Sequence, residues 1–110
     1  MSLLVPAFLL AQETTPVPTR LVHLEHANTL SFDKSQDVER QVLRGEVLFR
    51  QDSVWMECDS AYFYQSSNSF EAFSNVHMWE GDTLEMWCDS LSYEGNSMVG
   101  EFYDNVRMRY

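Results

Sequence analysis

The tripeptide Cys-Asp-Ser is written twice, as Cys58-Asp59-Ser60 and Cys88-Asp89-Ser90, thirty positions apart, each two residues after a Met. When Cys58 is laid on Cys88, Asp52-Ser53-Val54 falls on Asp82-Thr83-Leu84 and Met56 on Met86. The tails recur as well: "GEV" from Gly45, "SNV" from Ser74 and "DNV" from Asp104, with Asn68-Ser69 and Asn96-Ser97 in matching turns. A weaker earlier copy sets Asn28-Thr29-Leu30 in the place of Asp59-Ser60-Ala61. The chain therefore reads as three units of about thirty residues, and such units bury their apolar face only by stacking on one another.

Inside each unit the hydrophobic period is two. Val47 and Phe49 alternate with Leu48 and Arg50; Val54, Met56 and Cys58 with Trp55 and Glu57; Leu84, Met86 and Cys88 with Glu85 and Trp87; Val106, Met108 and Tyr110 with Arg107 and Arg109. Charged residues keep to the face opposite Val, Met and Phe, as in a sheet with one face covered. Turn residues separate the runs at Gln51-Asp52-Ser53, Gln65 to Asn68, Glu80-Gly81-Asp82 and Glu94-Gly95-Asn96. No stretch supports a long amphipathic helix, and "KSQDVERQVL" from Lys34 reads as a loop leading into a strand. The expected fold is all-β: antiparallel hairpins forming two facing sheets. The chain would pass between them at the Cys-Asp-Ser and Asn-Val points, where a short Asp or Asn side chain can bond backbone groups that the ladder leaves free. The inward face is expected to hold Val47, Phe49, Val54, Met56, Cys58, Ala61, Phe63, Phe70, Leu84, Met86, Cys88, Leu91, Tyr93 and Met108, none of them formally charged.

That topology bears on the cysteines. Stacked parallel units would hold Cys58 and Cys88 one strand apart, about 4.8 Å. Hairpins put a strand between them, at roughly 9–10 Å, beyond the roughly 7 Å Cα limit for a disulfide. An oxidising compartment would favour a bridge; the hairpin geometry predicts two unbridged, inward thiols.

The net charge of −10 removes the main source of affinity for nucleic acid and anionic membranes. Residues 1–12, with the apolar run Leu3 to Ala11, read as an export signal or its remnant, although no Lys or Arg precedes the run. Residues 13–20 read as a Thr/Pro linker and 21–110 as one domain. The run is too short to span a bilayer. Paired carboxylates such as Asp59 with Asp89, or Asp52 with Asp82, are repeat equivalents in turns and corners, so no catalytic residue is expected. His23, His26, His77 and the two Cys lack metal-ligand spacing, and His23 and His26 should face opposite ways; no metal and no cofactor are expected.

The segment "GEVLFRQDSVWMECDSAYFYQSSNSFEAFSNVHMWEGDTLEMWCDSLSYEGN" resembles the OstA-like (organic solvent tolerance-like) family, related to periplasmic lipopolysaccharide-transport proteins and especially to their Bacteroidetes type. The matching features are the G-x-V-x-F unit start at Gly45, the M-x-CDSA-x-FY run, the N-x-FEAF-x-NV run and the GDTL turn at Gly81, within a resemblance covering about Leu21 to Tyr110. It implies an open β-jellyroll with an apolar trough, carrying lipopolysaccharide acyl chains across the periplasm toward the outer membrane. It also implies edge-strand pairing with other OstA-like or outer-membrane transport proteins, or head-to-tail self-assembly. Family members of this type are usually longer, so the chain is expected to be a fragment or single domain. Under that reading the inward residues are the lipid-binding lining, and their Met side chains suit flexible acyl chains. The competing readings are a carbohydrate-binding or adhesion module using the outer-face aromatics Trp55, Trp87 and Tyr62, and a purely structural fibre-forming β protein.

Overall fold

The structure is a computed structural model that describes residues 20–34 and 39–110. The expected export signal (1–12), residues 13–19 of the expected linker, and residues 35–38 before the first long strand lie outside the described residues. Eight strands follow: β1 (His23–His26), β2 (Thr29–Asp33), β3 (Arg40–Gln51), β4 (Val54–Tyr64), β5 (Ser69–Glu80), β6 (Leu84–Glu94), β7 (Val99–Tyr103) and β8 (Arg107–Arg109). All pairings are antiparallel, in the order β1-β3-β4-β5-β6-β7, with β2 also on β3 and β8 also on β6. The expectation of two facing sheets is met by a single open sheet folded on itself.

The fold line is a row of bulges running straight across the sheet. At each crossing two successive residues have positive φ: Gly45 at 81° and Glu46 at 47°, Ser74 at 71° and Asn75 at 53°, Asp104 at 66° and Asn105 at 52°. These are the repeated "GEV", "SNV" and "DNV" positions. Opposite Gly45-Glu46 stands the single Asp59, and opposite Ser74-Asn75 the single Asp89, so the register slips there and the strand bends. On one side of this crease lie residues 40–44, 60–64, 69–73 and 90–94 with β2 and β7. On the other lie residues 47–51, 54–57, 76–80 and 84–88 with β1 and β8.

Each crease is clamped by its Asp or Asn. The Asp59 carboxylate accepts from Ser74 Oγ at 2.9 Å and Asn75 Nδ2 at 2.8 Å, and that of Asp89 accepts from Asn105 Nδ2 at 2.7 Å. The Asp89 N–H donates to the Asp104 carbonyl at 3.0 Å, and the Asn28 N–H donates to the Gly45 carbonyl at 2.8 Å. That shared bond identifies Asn28 as the worn third copy of the motif. Here glycine is needed for space as well as for φ, because a Cβ on Gly45 would lie 2.5 Å from Asn28 Nδ2.

The halves meet face to face. Phe49, on one side of the crease, stacks on Phe70, on the other, with centroids 4.0 Å apart, and meets Phe63 edge-on at 5.3 Å; Phe70 stacks on Tyr93 at 5.3 Å. The buried core is Val22, Leu43, Val47, Phe49, Met56, Cys58, Ala61, Phe63, Phe70, Ala72, Val76, Cys88, Leu91 and Tyr93. One expectation about side-chain direction fails. The register of β1 shifts between Leu24 and His26, so His23 lies opposite Arg50 and His26 opposite Leu48, both on the outer face. The bulge at Glu25 cancels the alternation that would have separated the two histidines.

Candidate functional site

The space between the folded halves is the natural candidate for a site. Of the residues expected to line it, Val47, Phe49, Met56, Cys58, Ala61, Phe63, Phe70, Cys88, Leu91 and Tyr93 are buried against one another. Val54, Leu84 and Met86 are half-buried, and Met108 is exposed. The middle of the trough is therefore packed: Phe49 has no exposed surface, and ring stacking fills the gap across to Phe70. Alternation alone did not pick out Leu43, Ala72, Val76 or Val22. Ala72 and Val76 could have been found by following Phe70 through the "SNV" crease, whereas Leu43 belongs to the stretch read as a loop into a strand.

Exposure rises toward the β7/β8 edge at positions that are equivalent in the repeat. Val47 is 0% exposed, Val76 2% and Val106 48%. The side chain hardly differs along this series; what differs is whether a further strand lies beyond. At the β7/β8 edge the inner face shows Val106 and Met108, with Phe102 partly covered. At the β1/β2 edge it shows Leu30 and Phe32, at 47% and 66% exposure. Two shallow grooves open there, of about 350 Å³ and about 300 Å³. The first is walled by Leu21, Leu24 and Leu30, the second by Phe32 and Arg40, and both include Gln41, Phe63 and Gln65.

The cysteines supply no chemistry to the trough. Both are free, and the Cys58 thiol donates to the Ser60 carbonyl at 3.2 Å just as that of Cys88 donates to the Ser90 carbonyl at 3.1 Å. Burial pushes the Cys58 thiol up to about 12 and raises that of Cys88. Thiols held protonated in this way are neither nucleophiles nor ready metal ligands. In Cys-Asp-Ser the Cys thus fills the floor of the crease and caps a carbonyl, while the Asp clamps the neighbouring strand.

The outer aromatics do not form a free platform. Trp55 stacks on Trp79 at 6.3 Å and 12°, His77 lies against Trp79 at 4.7 Å, and Trp87 lies against His77 at 5.2 Å and 4°. Arg50 sits over Trp55 at 5.8 Å, and Arg107 and Arg109 over Trp87 at 5.8 and 5.9 Å. Tyr62 is covered by Arg40 at 4.0 Å and meets Phe73 edge-on at 5.4 Å. These contacts occupy the ring faces that a sugar would need, and they match the cross-strand pairs that stabilise sheets. His77 also links strands, with Nδ1 3.1 Å from Glu57 Oε2 and Nε2 3.0 Å from Glu85 Oε2. Among the described residues no group of His, Cys, Asp and Glu is arranged to hold a metal ion.

Residues 19–110 match the family model described as OstA-like protein. No curated protein matches the chain.

Proposed function

The chain belongs to the OstA-like family, and from that premise we propose that it is a periplasmic module that carries lipopolysaccharide acyl chains during outer-membrane assembly, without catalysis. The observation that carries this reading is the uncharged apolar lining, continuous from the packed middle to two unsealed ends. The family is a transport and binding family, and the match takes in every described residue.

The lipid contacts fall mainly at the ends. Leu30 and Phe32 at one edge, and Met86, Phe102, Val106 and Met108 at the other, are the surfaces still able to exchange water for acyl chain. Each methylene moved from water onto such a surface contributes about 0.8 kcal/mol. Val47, Phe49 and Met56 act behind them as the fixed wall against which a chain lies. The charged head group stays outside the lining, at the rim. Partner OstA-like or outer-membrane transport proteins, or further copies of this chain, would extend the trough by pairing on the β7/β8 or β1/β2 edge. Residues 1–12 serve in this reading as the export signal of the domain that begins at about residue 21.

The test is in-cell photo-crosslinking from Phe32, Phe49, Met86 and Met108 in turn, with adducts probed for lipopolysaccharide. Strong adducts are expected at Phe32, Met86 and Met108, and weak ones at Phe49. Lipid adducts at none of the four would remove the carrier reading. Sugar binding that is lost on Trp55→Ala and kept on Met108→Asp would install the carbohydrate module in its place.

A further inference from the structure

The rim opposite the crease is not left open. Where the tips of the two half-sheets meet, the short segment Arg20–Val22 passes between them, and its backbone is held by side chains from both sides. Gln51, fully buried at the end of β3, donates from Nε2 to the Arg20 carbonyl at 2.9 Å and to the Gly95 carbonyl at 2.8 Å. Its Oε1 accepts from the Tyr93 hydroxyl, which burial and the charge of Asp52 keep protonated. Asn68, in the turn between β4 and β5 across the rim, accepts the Val22 N–H at 2.8 Å and donates to the Arg20 carbonyl at 2.9 Å and to Asn96 Oδ1 at 3.1 Å. The Gly95 N–H donates to the Asn68 carbonyl at 2.9 Å.

The Arg20 side chain repeats the pattern. Its Nε pairs with Asp52 Oδ2 at 3.2 Å in the β3–β4 turn, and its Nη1 reaches Met98 Sδ at 3.6 Å in the β6–β7 turn. Val22 is 5% exposed and belongs to the core cluster. A Cβ on Gly95 would stand 2.8 Å from Val22 Cγ2 and 2.3 Å from the Asn68 carbonyl oxygen.

We propose that Arg20–Val22 is a strap that latches the tips of the two half-sheets, and that its release lets the trough open sideways along the β3–β4 side. Two buried amides, Gln51 and Asn68, decide whether it stays closed. A tripeptide held by side-chain bonds and one buried Val can detach without disturbing the strand ladder, so this rim can open locally. Sideways opening would part the tips beside Gln51, Tyr93 and Gly95 and leave the Phe49–Phe70 stack in place, without breaking any strand pair. The inference goes beyond the carrier reading and does not depend on lipid being the cargo.

Two variants with little steric change test it. Asn68→Gly keeps a backbone that has φ of 56° and removes the side-chain bonds. Gln51→Met with Tyr93→Phe keeps volume and removes the polar pair. Spin labels are placed at Asp82→Cys and Ser97→Cys, one on each tip, in a Cys58→Ala, Cys88→Ala background, and their separation is measured without lipid. The expected result is one short separation in the otherwise unchanged chain and a second, longer one in both variants, with Val22 N–H exchange about thirtyfold faster in Asn68→Gly, which loses two bonds to the strap, and about fivefold faster in Gln51→Met with Tyr93→Phe, which loses one. An unchanged separation in both variants would overturn the proposal. If neither variant folds, exchange in the unmodified chain decides. The Val22 N–H must then exchange faster than the amides of β4, and exchange at the same global rate overturns the latch. Lipid crosslinking can fail without touching either result, so the two readings are separable.

Discussion

Replacing Phe49 by Ala tests whether the middle of the trough is a packed core or an empty channel. Phe49 is fully buried, stacks on Phe70 at 4.0 Å and meets Phe63 at 5.3 Å, so it joins the halves on both sides of the crease. Truncation removes a whole ring from this contact and leaves a void that two bent half-sheets cannot close without repacking. Phe→Ala in such a setting costs about 3–5 kcal/mol, and the two ring contacts place this site at the upper end, about 4 kcal/mol or more. Met108 is the control. It lies on the same face in the last strand but is 51% exposed, so Met108→Ala should cost less than about 1 kcal/mol. Urea unfolding followed by far-UV circular dichroism measures both. With a slope of about 1–3 kcal/mol per M, the midpoint should fall by about 2 M for Phe49→Ala and hardly move for Met108→Ala. A Phe49→Ala cost below about 1 kcal/mol, or equal costs at the two sites, would refute the packed-middle argument and return Phe49 to the role of open lining.

Three further outcomes follow from the crease, the thiols and the outer face. Asn75→Gly should be better tolerated than Asn75→Val, because position 75 has φ of 53° and a β-branched residue there is strained by about 1–2 kcal/mol, readable as a difference in thermal midpoint. For Cys58 the sign is fixed by its raised value. The unfolded thiol titrates near 9.0 and the folded one near 12, so its contribution is complete below about pH 9 and is lost as pH climbs toward 12. Stability of the unchanged chain should therefore fall by up to about 1.4 kcal/mol per pH unit in that window on account of this group, and Cys58→Ala should flatten the slope. Trp79→Ala breaks the stacked row between Trp55 and His77 and should cost about 1–3 kcal/mol in urea unfolding while leaving lipid crosslinking at Met108 unchanged.

Much of the fold was legible because its information is local and repeated. Period-two alternation from Val54 to Cys58 and from Leu84 to Cys88 assigns each side chain to a face. The Cys-Asp-Ser and Asn-Val copies mark the crease, since Asn75 and Asn105 tolerate positive φ there and the short carboxylates of Asp59 and Asp89 bond them across it. The same regularity misled at β1, where one extra residue, Glu25, put His23 and His26 on one face; a bulge leaves no mark in a hydrophobic pattern.

Sequence by itself determined that this chain is a row of near-identical antiparallel hairpins with an uncharged inner face, because alternation and repetition are properties of neighbours along the chain. Only tertiary structure decided that the middle of that face is filled by Phe49, Phe63, Phe70 and Tyr93, that Val106 and Met108 are left in water, and that Gln51 and Asn68 tie Arg20–Val22 across the rim. Those outcomes depend on which side chains the crease brings opposite one another, tens of residues apart. A polar residue such as Gln51 carries no local sign that it will be the most deeply buried amide among the described residues.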